Sequence, residues 1–506
     1  MSVAAPAPDR SARRRIEPTV LQALRSPRLL TREALAGMVV AIALIPEAIA
    51  FSLIAGVDPR VGLFSSFVMA VVIAFTGGRP AMITAATGAV ALVVAPVARE
   101  HGIDYLVATV LLAGVIQVVM AALGVAKLMR FIPRSVMVGF VNALAILVFL
   151  AQMPQLIDVP WTVYVLVAAG LAILSLWPRV TKAVPAPLIA IVVLTAVVVV
   201  FGIAVPTVGD QGELPHSLPS LFLPDVPLEW ETLRIIAPYA LAMATVGLLE
   251  SLMTAKLVDD ITDTPSGKTR EAWGLGVANL ASGLFGGMGG CAMIGQTMIN
   301  VKASGARTRI STFLAGVFLL VLVVALGDVV AIIPMAALVA VMILVSVSTF
   351  EWHSIRPATL KRMPPSETII MLVTVVVTVW TQNLALGVVA GVLAAMIAFA
   401  RRVAHFTTVT RSLTGTADGE VARYTVDGAL FFASSNDLTT QFDYAHDPAR
   451  VVIDLSRSHV WDASTVAALD AIVTKYAQRD TQVEFVGMNE ATAAFHGRLS
   501  GGAEKR

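Results

Sequence analysis

Long apolar stretches, broken at short intervals by polar, Gly- or Pro-containing segments, fill most of this chain up to Arg402. A helix needs about 20 apolar residues to cross the hydrocarbon core of a bilayer. By that measure fourteen runs read as spans, at 33–53, 60–76, 80–98, 103–125, 131–151, 160–176, 183–203, 233–254, 271–288, 290–303, 306–327, 329–348, 366–382 and 384–401. Beyond Arg402 the pattern becomes that of a soluble α/β segment. VARYTV and ALFFAS, on either side of Asp427-Gly428, read as a hairpin, and Asn436 or Asp437 as the cap of a short helix. Arg450–Ser456 reads as a buried strand. Asp462 then caps a helix whose apolar face holds Val466, Leu469, Val473 and Tyr476. TQVEFVGM is a further strand, and a last helix starts near Glu490. The order ββαβαβα predicts a small sheet covered by helices on one side.

Composition agrees with lipid as the main solvent. The chain of 506 residues is 57% hydrophobic and 14% charged, with a mean hydropathy of +0.81. Soluble domains carry about 25% charged residues. The net charge of +2 decides nothing, but its distribution does. With the N-terminus in the cytoplasm, the segments on that side hold 24 Lys and Arg, and those outside hold only Arg60, Arg99 and Arg234. That asymmetry follows the positive-inside rule and places both termini inside. The basic, Pro-containing residues 1–32 lack a signal-peptide pattern and read as a cytoplasmic tail.

Residues 205–232, rich in Pro and acids and without Lys or Arg, read as an external linker between seven spans and seven. Seven is odd, so two homologous halves, 33–204 and 233–402, run in opposite directions. Ala81–Ile83 and Ala292–Ile294 repeat Ala-Met-Ile at matching places in the two halves. The fold class expected is therefore an α-helical polytopic membrane protein, a 7+7 inverted repeat followed by a small cytoplasmic α/β domain at 411–500. Inverted repeats with interrupted helices set helix N-termini near the bilayer midplane, where free N–H groups face an anion. Pro80–Thr87 and Gly289–Gly295 are the extended segments expected there.

Glu47, mid-span one, and Glu250, near the end of span eight, are intramembrane carboxylates. Each marks a proton or cation pathway, or else a structural bond between helices. Near an anion they repel it unless protonated. Thr84, Thr87, Gln296 and Thr297 are polar groups at the two helix starts, either anion donors or hydroxyls bonded back to their own backbone. Phe51, one turn after Glu47, is a site wall or ordinary core. Cys291, the single cysteine, excludes an intrachain disulfide and reads as a small buried residue. Asp259, Asp260 and Asp263 lie in the charged segment Val258–Glu271, a solvated loop or a cation site. His353 and the other histidines lack metal-ligand spacing. No nucleotide loop, catalytic triad or metal cluster is present, so neither an enzyme, a cofactor nor a nucleic-acid partner is expected.

Three stretches together carry a family resemblance: IPEAIAFSLIAGVDPRVGLFSSF, ITAATGAVAL, and GLFGG followed by AMIGQTMINVKASG. They resemble the SulP anion transporters, and VVIDLSRSHVWDASTVAAL resembles the signature of a STAS domain. The resemblance implies core and gate domains, elevator-like movement, homodimers and an anion site between spans three and ten. By position it implies a site of Glu47, Phe51, Thr87, Gly88, Ala89, Glu250, Thr254 and Gln296–Met298 (Gln296, Thr297, Met298). Many relatives have Gln where Glu47 stands, and animal members often have Arg at Gln296. These departures point to proton-coupled uptake of sulfate, bicarbonate or a dicarboxylate at the plasma membrane. The alternatives are an uncoupled exchanger or channel, sodium-coupled bicarbonate uptake, or a membrane sensor signalling through STAS. Glu250 and Thr254 keep the sodium-site spacing of bicarbonate carriers, but Cys291–Met293 replace the small hydroxylated residues expected with them. Ser464 stands where related STAS domains are phosphorylated, or serves as a helix N-cap.

Overall fold

A computed structural model describes residues 18–127, 132–180, 186–212, 214, 217–404, 407–416 and 419–500. In the first half, a short helix α1 (Val20–Arg25) precedes α2 (Pro27–Ala55) and α3 (Pro59–Thr76). A two-residue strand β1 (Thr84–Ala85) leads into α4 (Gly88–Ala122), followed by α5 (Arg134–Leu150), α6 (Trp161–Val180) and α7 (Ala186–Phe201). The second half begins with α8 (Trp230–Thr262), α9 (Lys268–Leu284), strand β2 (Cys291–Ala292) and α10 (Ile294–Met298), which widens into a π-helical turn at Ile299–Ala303. It continues with α11 (Arg309–Ala325), α12 (Gly327–Ala331), α13 (Met335–Thr349), α14 (Pro357–Arg362), α15 (Pro365–Thr381) and α16 (Leu384–Ala404).

Among the described residues, each of the fourteen apolar runs contains one of these helices or part of one, and the runs at 80–98 and 290–303 open with β1 and β2. Helix α4 carries two runs because Gly102, at φ 85°, turns the chain between them. Among the described residues, seven helices have the length and apolarity to cross a bilayer on their own, and α7, α11, α13 and α15 are shorter apolar helices. The described residues of the 205–232 segment bond to the second half at three places. Val208 N–H donates to Ile333 O, Met335 N–H to Pro206 O, and Phe222 N–H to Leu284 O.

Packing follows a local two-fold. α2 packs on α11 as α8 packs on α4, α3 on α11 as α9 on α4, and α5 on α15 as α13 on α6. The contacts α3–α9 and α5–α13 are their own mates. This is the pairing that two oppositely oriented copies of one seven-span unit produce. β1 and β2 pair antiparallel at its centre, Thr84 opposite Ala292 and Ala85 opposite Cys291. The two-fold therefore equates Thr84 with Cys291, and the Ala-Met-Ile match of the sequence is four residues out of that register.

The second compact unit begins within α16, at Leu393. It holds β3 (Thr408–Thr416), β4 (Gly419–Leu430), α17 (Phe432–Leu438), β5 (Arg450–Val460), α18 (Ala463–Ala477), β6 (Gln482–Val486) and α19 (Glu490–Ser500). The sheet order is β3-β4-β5-β6, with β3–β4 antiparallel and the other pairs parallel, each parallel step crossing through a helix. The element string is the expected one, but its first two strands are not. Asp427-Gly428 is no turn: β4 runs through it to Leu430, and Phe432–Ser434 of the second expected strand open α17. Between the pairs Thr425–Asp454 and Asp427–Arg457 the parallel register slips by one, the extra residue lying on β5. Asn436 and Asp437 sit in the last turn of α17 rather than before it. Tyr424, Ile453, Leu469 and Tyr476 centre the core.

Candidate functional site

Unpaired backbone at bilayer depth is tolerated only where protein satisfies it. The crossing of β1 and β2 meets that demand with side chains from four helices. Ser66 Oγ accepts from Ala86 N–H (3.2 Å), Ser251 Oγ from Ala292 N–H (3.0 Å), and Thr297 Oγ1 from Ile83 N–H (3.0 Å). Asn279 accepts from Gly290 N–H at 2.9 Å, and Asn300 donates to Ala81 O at 2.8 Å. The strands pass so closely that a Cβ on Gly290 would stand 1.9 Å from Ala85 O.

The strands deliver two helix N-termini to one place. Thr87 caps α4 and Met293 precedes α10. Among the described residues, the N–H groups of Gly88, Ala89, Ile294, Gly295 and Gln296 have no acceptor within the protein. These five residues line one cavity of about 270 Å³. Glu47 and Phe51 of α2 and Glu250 of α8 complete its core-side wall, and Phe140, Leu144, Val148 and Ser346 of α5 and α13 face them. Among the described residues no Lys or Arg lines it. Glu47 follows Pro46, which leaves Ile42 O without its helical donor, and the Gln296 amide lies beside the Glu47 carboxyl. Glu250 accepts a hydrogen bond from the Cys291 thiol at 2.9 Å, and Cys291 Sγ lies 3.0 Å from Thr87 Oγ1.

The model of the sulfate permease family matches residues 30–163 and 156–374, and that of the STAS domain matches 416–496. The chain belongs to the sulfate permease family. Its members are transporters, not enzymes, and the chain is a multi-pass membrane protein ending in a STAS domain. A Bacillus subtilis relative named "Putative sulfate transporter YbaR" is 51% identical over 463 residues, covering 92% of this chain and 95% of its own. The bicarbonate transporter BicA of Picosynechococcus is 25% identical over 503 residues, 89% of this chain and 87% of its own. Among solved structures, the transmembrane domain of a cyanobacterial BicA superposes with a TM-score of 0.63 at 25% identity, covering 73% of this chain and 98% of that one. Murine Slc26a9 in the inward-facing state shares the fold, with a TM-score of 0.78 at 16% identity over 93% and 87% of the two chains.

Not every residue expected at a site of this family reaches the cavity. Phe51, Thr87, Gly88, Ala89, Gln296, Glu47 and Glu250 line it. Thr297 instead bonds the Ile83 backbone, and Thr254 Oγ1 donates to Glu250 O one turn back. Met298 packs against the Ala36, Ala81 and Val301 cluster, and the buried Thr84 hydroxyl has no partner among the described residues. Asp259 pairs with Arg79 at 3.3 Å and Lys268 at 2.8 Å, and Asp260 with Lys256, so these carboxylates neutralise the protein's own cations. In the STAS domain the N-cap of α18 is Asp462, which accepts from Thr465 N–H, and Ser464 stands exposed in the first turn. Sequence reasoning passed over Cys291, whose two partners lie 41 and 204 positions away.

The 270 Å³ cavity extends along the last turns of α13 and the first of α7, the ends that adjoin the basic loops. A second cavity of about 670 Å³, lined by Ala50, Leu53, Ile54, Arg99, Gln152 and Gln382, lies along the opposite ends of α2, α5 and α15. Phe51 and Val148 stand close over Gly88 between them, 2.9 and 3.1 Å from the position a Cβ would take there.

Proposed function

We propose that this protein moves a small oxyanion, of the sulfate or bicarbonate kind, into the cell together with protons. One observation carries the reading: among the described residues, five unpaired helix-start N–H groups face a cavity that holds two carboxylates and no cationic side chain. Helix N-termini and free N–H groups favour an anion. An ionised carboxylate about 5 Å from a monovalent anion opposes it by about 3 kcal/mol at an effective dielectric of about 20. Protonating Glu47 or Glu250 removes that repulsion, so anion and proton enter together. The names of the sulfate- and bicarbonate-transporting relatives support the substrate class.

The helix starts ride on α2, α3, α4 and α8–α11, and the opposing wall belongs to α5, α7 and α13. Cavities on both sides of that contact support alternating access by an elevator-type shift of the first group against the second. The basic loops support a cytoplasmic position for the smaller cavity and for both termini, in a protein of the plasma membrane. The test is uptake of labelled sulfate and bicarbonate into proteoliposomes under an imposed pH gradient. Uptake is expected to rise with an inward proton gradient and to lose that dependence in Glu47→Gln. Uptake indifferent to the gradient in the wild type assigns the protein to uncoupled exchange instead.

A further inference from the structure

We propose that Glu250, Cys291 and Thr87 form a hydrogen-bond relay that turns protonation of Glu250 into a new donor for the bound anion. This deepens the proton-coupled reading given above and rests on it.

The relay follows from counting donors and acceptors. Cys291 Sγ–H donates to Glu250 Oε2 at 2.9 Å, so the thiol's only proton is engaged. The 3.0 Å contact between Cys291 Sγ and Thr87 Oγ1 then requires the hydroxyl to donate to sulfur. Thr87 Oγ1 in turn accepts from Val90 N–H at 3.4 Å. Every bond runs toward the carboxylate, from the first turn of α4 to Glu250. In this arrangement the Thr87 proton points away from the cavity that the residue lines.

A proton arriving on Glu250 Oε2 reverses the order. The carboxylic O–H donates to sulfur, the S–H rotates onto Thr87 Oγ1, and the hydroxyl, still accepting from Val90 N–H, turns its proton into the cavity beside Gly88 and Ala89. Only the incoming proton forms a bond; the rest is rotation about Cβ–S and Cβ–O. The titratable groups facing Glu250 are Cys291 from β2 and Glu47 from α2 across the cavity. From α4 come Thr87, Gly88 and Ala89, and from α10 Ile294, Gly295 and Gln296, none of them charged. Arg99, Glu100, His101 and Asp104 lie at the Gly102 turn of α4. On α9, Glu271 accepts from Gly78 and Arg79 N–H, and Asp259 of α8 pairs with Arg79 and Lys268.

A hydrogen bond to a charged group contributes about 10- to 100-fold in affinity. Cys291 is a positioning residue here, and its role is readable without knowing the substrate. It is the only cysteine, so the S–H stretching band of the intact protein reports it alone. Between about pH 4 and pH 9, a range that spans ordinary and buried carboxyls, the band is expected to shift as the thiol changes acceptor. In Glu250→Gln it should stay fixed. In Thr87→Val it should move at acid pH to the position of a free thiol. A wild-type band that ignores pH, or one that moves equally in Glu250→Gln, overturns the relay. In transport, Cys291→Ala is expected to raise the KM for sulfate or bicarbonate about 10- to 100-fold at acid pH and to flatten its pH profile. Cys291→Ser should restore both. pH-dependent uptake that Cys291→Ala leaves unchanged also overturns the relay. A moving S–H band with pH-independent uptake keeps the relay and removes the proton-coupled reading.

Discussion

Two glycines close to the strand crossing separate the support of the site from the site itself. A Cβ on Gly290 would lie 1.9 Å from Ala85 O and 2.6 Å from Ala85 C, both backbone atoms. Real Cβ contacts need about 3.4 Å, so Gly290→Ala forces β1 and β2 apart by more than an ångström. Overpacking a tight core costs about 1–3 kcal/mol when side chains can yield, and backbone yields less readily. Three residues beyond Ala85, Gly88 would lose its alignment with Gly295. A methyl on Gly295 meets nothing within 4 Å, because that position faces the open cavity. Thermal unfolding in detergent and labelled-anion uptake in proteoliposomes, measured on both variants, make the comparison. Gly290→Ala is expected to lower Tm by several degrees and to abolish uptake. Gly295→Ala should keep the wild-type Tm and weaken uptake by occupying anion space. Equal Tm losses in the two variants, or full uptake by Gly290→Ala, would refute the reasoning.

Further expectations concern single side chains. Thr297→Val removes the acceptor of a buried Ile83 N–H and should cost about 1–3 kcal/mol, read as a lower Tm, with little change in KM because Thr297 does not line the cavity. In the STAS domain the buried Asp447 carboxylate accepts from Tyr424 OH at 2.6 Å and from Tyr476 OH, and pairs with Arg411 at 2.7 Å. Asp447→Ala strands these groups and should destabilise the domain by about 3 kcal/mol, visible as faster proteolysis of the tail. Burial, then the Asp447 carboxylate, push the Tyr424 and Tyr476 phenols above their ordinary range. Below about pH 10 both are neutral in the folded and the unfolded chain. Above it the unfolded chain releases protons that the folded domain retains, so stability falls as pH rises. Alkaline difference absorbance should show these tyrosines titrating late, and earlier in Asp447→Asn.

The spans were legible because lipid leaves little freedom: an apolar run of the right length has one stable use. The two extended segments were legible for the opposite reason, since Pro80, Gly289 and Gly290 interrupt runs that would otherwise stay helical. Facing was harder. Thr254 and Thr297 are one turn or one residue from lining positions, yet one donates to its own helix and the other bonds a strand. Spacing alone cannot separate those outcomes. The Ala-Met-Ile match pointed to the right region and the wrong register, because apolar triplets recur by composition while backbone pairing is set by geometry. Asp427-Gly428 has the residues of a turn, but pairing of Asp427 with β3 and of both residues with β5 carries the strand through them, with Gly428 at φ 117°. Cys291 offered no local signal at all. Its meaning depends on Thr87 and Glu250, which only the folded repeat brings to it.

The central claim is that an anion sits between two opposed helix starts. A cryo-EM map of the protein in sulfate, and another in bicarbonate, tests it most directly. Anion density is expected within hydrogen-bond reach of the N–H groups of Gly88, Ala89, Ile294, Gly295 and Gln296, lost when Gly295 is replaced by Ala. Density held instead beside Arg99 in the larger cavity, with the helix starts empty in a protein that still transports, would contradict the claim.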